Sequence, residues 1–472
     1  MEVESVNVVG ANGNSNALLD DDGKPKRTGT VWSASAHIIT AVIGAGVLSL
    51  AWALAQLGWI LGVTFILLFS AINLYCSNLL ADCYRSPDPV TGKRNHTYMD
   101  AVKAHLGGRM HMICGLIQYS ILVGVAIGYT ITTSISVVTI VKNDCIKKHN
   151  GSDAHCHFSN NPSIIGIAIA EIFLSQIPNF HELSWVSFVA SIMSFGYAFI
   201  GIGLSLATII QGNGKKTSLY MGKAGQSSAE TIWLMLVALG NIALANSYAQ
   251  IFIDIQDSLK STPAENKVMK MANKIGIITM TIIFLLSGGS GYAAFGVDTP
   301  GSILNTTGST QNLWLIYMGN VFIIIHILGA YQVLIQPFYH IVELLLSERW
   351  PSSSFINKEH YVGTGKIKIR LNFFRLVWRS IFVVVASVLA MAMPFFNDML
   401  ALLGAIGFWP LAVYFPVQMI IVKRNIRRGT ITWIWLQSLS LVCMLVSIAA
   451  AAAAIHGLGQ ALVKYKPFMY KA

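Results

Sequence analysis

Long apolar runs separated by short polar segments dominate this chain. Runs long enough to cross a hydrocarbon core of ~30 Å fall at about 31–57, 59–81, 112–141, 162–178, 184–211, 230–254, 275–296, 312–346, 373–395, 398–422 and 431–457. The pattern predicts an all-α polytopic membrane protein of eleven spans, the run at 162–178 being the shortest. Residues 1–30 are polar and lack the apolar stretch of a cleavable leader, so the first span is expected to act as its own uncleaved signal. The expected organisation is a cytoplasmic tail (1–30), a transporter-like domain (31–457) and an outer tail (458–472).

Composition agrees with the pattern. Of the 472 residues, 54% are hydrophobic and only 11% charged, against about 25% charged in soluble domains. The formal net charge of +11 could suggest a nucleic-acid partner, but the positions of the charges argue for topology instead. With the N-terminus in the cytoplasm, most of the 32 Lys and Arg residues fall in inside segments: Arg85–Arg109, Lys260–Lys274, Arg349–Arg379 and Lys423–Arg428. That is the positive-inside bias, and it puts the C-terminus outside. The partner expected from composition is a lipid bilayer, with no nucleic acid.

The loop after the third span then lies in an oxidising compartment. Cys145 and Cys156 in "CIKKHNGSDAHC" are read as a disulfide, with two free thiols as the alternative. Asn150-Gly-Ser and Asn305-Thr-Thr are glycosylation sequons in outer loops. Asn95-His-Thr falls inside and is expected to be silent. His149, His155 and His157 crowd the cysteine loop, which reads better as solvated than as metal-binding. No metal or cofactor is expected.

The first span, "HIITAVIGAGVLSLAW", carries Gly44-Ala45-Gly46 at its middle. Lipid offers no hydrogen-bond partners, so a broken helix is tolerated only where protein or a water-filled cavity serves the freed groups. The two glycines are two residues apart, roughly 200° around a helix, and cannot form one packing face. Ala41, Ala45 and Ser49 do have close-packing spacing, which keeps a packing role open. A second interruption favours the break. If spans one to five (31–211) and six to ten (230–422) are inverted repeats, with 431–457 as an extra span, the partner of span one is span six. Span six reads "TIWLMLVALGNIALANSYAQIFIDIQ", with Gly240-Asn241 and Asn246-Ser247-Tyr248 at its centre. Asn246, Gln250 and Asp254 are spaced i, i+4, i+8 and would form one polar stripe.

Two such breaks suit a zwitterion. Free N–H groups at a half-helix N-terminus attract a carboxylate. Free carbonyls at the other broken end attract an ammonium or a cation. The expected substrate is an amino acid held by Ile43, Gly44, Ala45 and Gly46, with Asn241, Asn246, Ser247, Gln250 and, from span three, Tyr129 completing the pocket.

At these residues the chain resembles the plant amino acid permeases, in the amino acid/auxin permease branch of the amino acid–polyamine–organocation superfamily. The matching blocks include "RTGTVWSASAHIITAVIGAGVLSLAWALAQLGW", "LADCYRSPDPVTGKRN", "LSQIPNFHELSW", "GYAAFG", "GAYQVLIQPFYHIVE" and "PFFNDMLALLGAIGFWPLAVYFPVQ", and together they cover about residues 27–467. The resemblance implies an eleven-span LeuT-type fold with a 5+5 inverted repeat, proton-coupled import of amino acids and a plasma-membrane location. One departure stands out. Family members commonly read Gly-Asp-Ile-Ala-Phe-Ala-Tyr in span six, where this chain has Gly240-Asn241-Ile242-Ala243-Leu244-Ala245-Asn246. An amide replaces a carboxylate, which puts a broad neutral amino acid range in doubt.

Coupling candidates are the titratable groups within spans. His37 and His326 change charge near physiological pH, and the resemblance implies that both positions matter. A neutral histidine bonded between helices is the competing reading. Glu171 and Asp254 are intramembrane carboxylates and functional candidates by default, although Asp254 lies close enough to the cytoplasmic end to reach water. Other function classes lack their signatures: no nucleophile–base set for an enzyme, and no continuous polar pore for a channel. Sodium coupling, an auxin-like substrate and a non-transporting amino acid sensor remain as alternatives.

Overall fold

The structure, a computed structural model, describes residues 19–24, 26–149, 156–176, 184–220, 227–305, 313–362, 369–393 and 395–464. The helices are α1 (Val31–Val42), α2 (Ala45–Asp82), α3 (Tyr98–Leu106), α4 (Gly108–Lys148), α5 (Asn161–Ser175), α6 (Ser184–Ile210), α7 (Ser228–Ala245) and α8 (Ala249–Asp257) in the first part of the chain. They continue as α9 (Glu265–Phe295), α10 (Leu313–Arg349), α11 (Ser354–Asn357), α12 (Phe373–Ala392), α13 (Phe396–Gly407), α14 (Phe415–Lys423) and α15 (Ile431–Lys464). Among the described residues, nine helical segments are long and apolar enough to cross a membrane, and Val31–Val42 and Asn161–Ser175 are shorter apolar helices. Antiparallel pairs β1 (Arg85–Ser86) with β2 (Lys93–Arg94) and β3 (His360–Val362) with β4 (Ile369–Leu371) fold two of the loops.

The length of α2 conceals a reversal. Gly58 has φ 74°, a conformation open to glycine but strained for other residues, and a Cβ there would strike the Tyr220 backbone at 2.7 Å. Just beyond it, a Cβ at Gly62 would lie 3.3 Å from Leu54 Cα. In a straight helix residues eight apart are ~12 Å apart, so the chain folds back at Gly58. The predicted boundary between runs 31–57 and 59–81 falls on this glycine.

Polar side chains inside the spans mostly serve their own backbone. Thr130, Thr132 and Thr133 of α4 donate to the carbonyls of Ala126, Gly128 and Tyr129 at 2.7–2.9 Å, which satisfies each hydroxyl without a second helix. Between α13 and α14 the helix widens into a π segment, Phe408–Tyr414, and Tyr98 reaches it to donate to the Leu411 carbonyl at 2.6 Å. The core lies where α2 packs against α7 and α9, with α13 and α15 behind α7. A second buried cluster joins α4, α10 and α12.

The stretch before α1 is not a loose tail over its described part. Gly29 bridges to Leu259 in parallel register, so close that a Cβ would sit 2.4 Å from the Ser258 carbonyl oxygen. Arg27 pairs with Asp20 and Asp22 and with Asp257 at the end of α8. Arg85 and Arg94 share Glu265 and Asp21. Hydrogen bonds from Arg27 hold the Asp22 carboxyl well below the usual carboxylate range. Its stabilising contribution is therefore present above the ordinary carboxylate pKa and is lost only as pH falls through the lower folded value. The acidic triad stays engaged throughout the physiological range.

Candidate functional site

Two interruptions face each other at the centre of the fold. Helix α1 stops at Val42, and Gly44 is extended (φ −127°, ψ −156°) before α2 begins. Helix α7 stops at Ala245, and α8 begins after Ser247-Tyr248. A Cβ at Gly46 would lie 2.9 Å from Ala245 Cα, so the two broken spans touch backbone to backbone there. Nothing lies within 4 Å of a Cβ built at Gly44, which leaves space in front of the break. No side chain caps the start of α2 or of α8, so the first N–H groups of both helices are donors with no intrahelical acceptor.

The expected residues divide sharply. Ile43 is buried, and its carbonyl accepts the Tyr197 hydroxyl of α6 at 3.2 Å. The Ala45 backbone opens α2 between the two glycines. Tyr129 of α4 is half-buried and packs against the buried cluster that holds Tyr197 and Ile43, which puts it near the break. Ser247 is half-buried, with its hydroxyl 3.7 Å from a Cβ built at Gly407. Asn241 is fully buried, and neither atom of its amide has a hydrogen-bond partner. It lies one turn before Ala245, the residue against Gly46.

Asn246 corrects the expected stripe. With the helix ending at Ala245 and restarting at Ala249, the spacing of Asn246, Gln250 and Asp254 no longer runs along one helix. Asn246 caps α7 instead. Its amide donates to Ile242 O at 3.0 Å, its Oδ1 accepts from Ser70 at 3.2 Å, and its carbonyl accepts from Asn73 at 2.6 Å. Both of its side-chain polar atoms are therefore engaged within the protein. Gln250 is half-buried and Asp254 exposed.

The titratable candidates also separate. His37 is exposed on α1. His326 of α10 is buried, with Nδ1 2.8 Å from the Ala190 carbonyl of α6. A carbonyl only accepts, so Nδ1 carries the proton of the neutral ring and Nε2 is its acceptor. The ring packs edge-on against Tyr197, with centroids 5.7 Å apart. His326 is thus one side chain from the break, whereas Glu171 lies elsewhere, on α5 against α10. Cys145 and Cys156 form a disulfide. Asn305 is half-buried and accepts from Thr139 at 3.4 Å, and Asn150 lies outside the described residues.

Tyr197, Ser70 and Asn73 were not singled out in the sequence, and Tyr248 was named only as part of the polar centre of span six. Tyr248 starts α8 and its hydroxyl contacts Asn273 of α9 and, at 3.4 Å, Ser77. Ser70, Asn73 and Ser77 had a readable signal: polar residues at i, i+3, i+7 in an otherwise apolar run mark one face of a helix.

Comparison with known proteins is consistent with this geometry. A family model described as "Transmembrane amino acid transporter protein" matches residues 27–459. The chain is similar to "Amino acid permease 6" of Arabidopsis thaliana, at 51% identity over 97% of this chain and 96% of that one. It is similar to "Amino acid permease 1" of the same plant, at 50% identity over 95% and 93%. Among solved structures, that of MhsT in complex with L-phenylalanine superposes with a TM-score of 0.54 at 8% identity, over 91% of this chain and all of that one. That likeness is one of fold: an all-α polytopic membrane protein of the LeuT type.

Proposed function

This chain belongs to the transmembrane amino acid transporter protein family, a family of transporters rather than enzymes, and from that membership we propose that it imports amino acids by proton symport. The observation that carries the reading is the meeting of two interrupted spans at Gly46 and Ala245. The substrate carboxylate lies against the uncapped N–H groups that open α2. The ammonium is met by carbonyl oxygens at the broken ends and by the amide oxygen of Asn241, which is buried without a partner. Tyr129 and Ser247 border the side-chain space.

Proton coupling suffices energetically. One charge crossing ~100 mV supplies about 2.3 kcal/mol, and 1.4 kcal/mol is tenfold, so accumulation of roughly 50-fold is available before any pH gradient. Histidine 326, beside Tyr197, is the candidate to pass protonation to the break.

The proposed location is the plasma membrane with the N-terminus in the cytoplasm and the C-terminus outside, from the distribution of Lys and Arg. Epitope tags at the two ends should report opposite sides, and finding both on one side would overturn the topology.

The zwitterion reading makes its own demand. A transported neutral amino acid should raise the thermal midpoint of the purified protein. The same molecule without its carboxylate, or without its amine, should fail to do so at equal concentration. An amine or acid that stabilises as well as the amino acid would contradict recognition of both charged ends.

A further inference from the structure

A second polar pocket lies away from the broken helices, between α5, α10, α12 and α4. Glu171 of α5 is 2% exposed. Its carboxylate accepts a hydrogen bond from Gln332 Nε2 of α10, which also donates to the Glu171 carbonyl at 3.3 Å. Among the described residues no cation pairs with it. The pocket holds more polar atoms than it satisfies. Gln332 Oε1 and Gln336 Nε2 are buried without partners. The Tyr331 and Tyr339 hydroxyls are buried close to each other and to Glu171, and neither has any other partner. Pro337, inside α10, leaves the Val333 carbonyl without its helical donor.

The groups around the carboxyl are few. From α10 come Gln332, Tyr331 and Tyr339. From α4 the same cluster takes Leu122 and Ala126, with the rings of Tyr119 and Tyr129 packed against it. From α12 comes Arg379, which donates to the carbonyl of Ser175, one turn beyond Glu171, at 2.7 Å. The guanidinium lies 5.1 Å from the centre of the Tyr339 ring and pairs with Glu343 at 2.8 Å. Glu343 also pairs with Arg375, whose side chain is 44% exposed. Arg379 is thus committed to Glu343, and a string of polar groups runs from Glu171 past Tyr339 to the surface.

We infer that this pocket is the proton site of the transport cycle, with Glu171 as the group that takes up and releases the proton. The inference rests on the proton-coupled reading and adds to His326 a separate group where the proton is taken up. The chemistry balances. A hydronium ion gives its proton to one carboxylate oxygen, an O–H bond forms, and a water is returned; release toward Tyr339 and the Arg379–Glu343 pair reverses the step. An ionised carboxylate in this pocket meets no cation, and a buried charge without a partner is costly, so its protonation state and the opening of the pocket are tied. A metal ion fits less well, because Gln332 turns an N–H donor toward the carboxylate.

The test uses the full-length protein in liposomes. Two transport modes are read: exchange of labelled amino acid at equal pH, which needs no driving ion, and uptake driven by a pH gradient. Glu171→Gln should keep exchange within about twofold of wild type and lose at least tenfold of the gradient-driven accumulation. Accumulation equal to wild type would overturn the site. If Glu171→Gln also loses exchange, Glu171→Asp decides: it should accumulate substrate with a displaced pH midpoint, and an undisplaced midpoint overturns the proposal. Uptake driven by sodium in wild type and lost in Glu171→Gln would make the pocket a metal-ion site and equally overturn it. A wild type that fails to respond to the pH gradient would instead reject proton symport itself.

Discussion

Replacing Gly46 by leucine is expected to abolish transport. A Cβ at this position meets the Ala245 backbone at 2.9 Å and its Cβ at 3.2 Å. Backbone cannot move aside as the end of a side chain can, so the added bulk must separate α2 from α7. Overpacking of this kind costs about 1–3 kcal/mol, and here it pulls apart the two interruptions that form the site. Uptake should fall at least 100-fold. Gly44 gives the opposite control. Its backbone is extended rather than left-handed, and a methyl there meets nothing within 4 Å. Gly44→Ala should reach the membrane in normal amount and raise KM about tenfold, because the methyl enters the space in front of the break. Surface labelling with uptake kinetics separates the two. Normal KM and rate in Gly46→Leu would mean that the contact with α7 does not hold the site together.

Asn241→Leu is expected to stabilise the protein while disabling it. Each buried polar group without a hydrogen bond costs about 1–3 kcal/mol, and both amide atoms of Asn241 are in that condition. An apolar side chain of similar size removes the penalty, so the thermal midpoint without substrate should rise. Substrate affinity should drop at least tenfold, because the amide oxygen is a proposed partner of the ammonium. Asn241→Asp should favour cationic over acidic amino acids by adding negative charge beside the pocket. An Asn241→Leu protein with wild-type uptake and no gain in stability would remove this residue from the site.

These effects explain what the sequence could and could not reveal. The first break was legible because Gly44 and Gly46 in an apolar run conflict with the needs of a helix in lipid, and the helix stops there; in span six the interruption falls at Asn246-Ser247-Tyr248, while Gly240 stays inside α7. The turn at Gly58 was legible as the gap between two runs. The aim of polar side chains was not. Asn246 and Asn241 look alike in the sequence, yet one caps α7 while the other has no partner. The difference depends on Ser70 and Asn73, about 175 residues away in the chain. Tyr197 gave no signal at all, since a tyrosine in an apolar run is ordinary packing until α6 is set against α1. The acid run Asp20–Asp22 meets Arg27 within a few residues, but Arg85 and Arg94, the partners of Asp21, are brought to it only by the folding of β1 and β2.

The central claim is that amino acid and proton cross together, the amino acid through the site at the two breaks. It is tested most directly by the current that amino acids evoke in an oocyte expressing the protein, recorded at outside pH 5.5 and 7.5 with and without sodium. The account expects an inward current that is larger at pH 5.5 and unchanged when sodium is removed. A current that requires sodium, or labelled uptake of a neutral amino acid with no current at either pH, would contradict it.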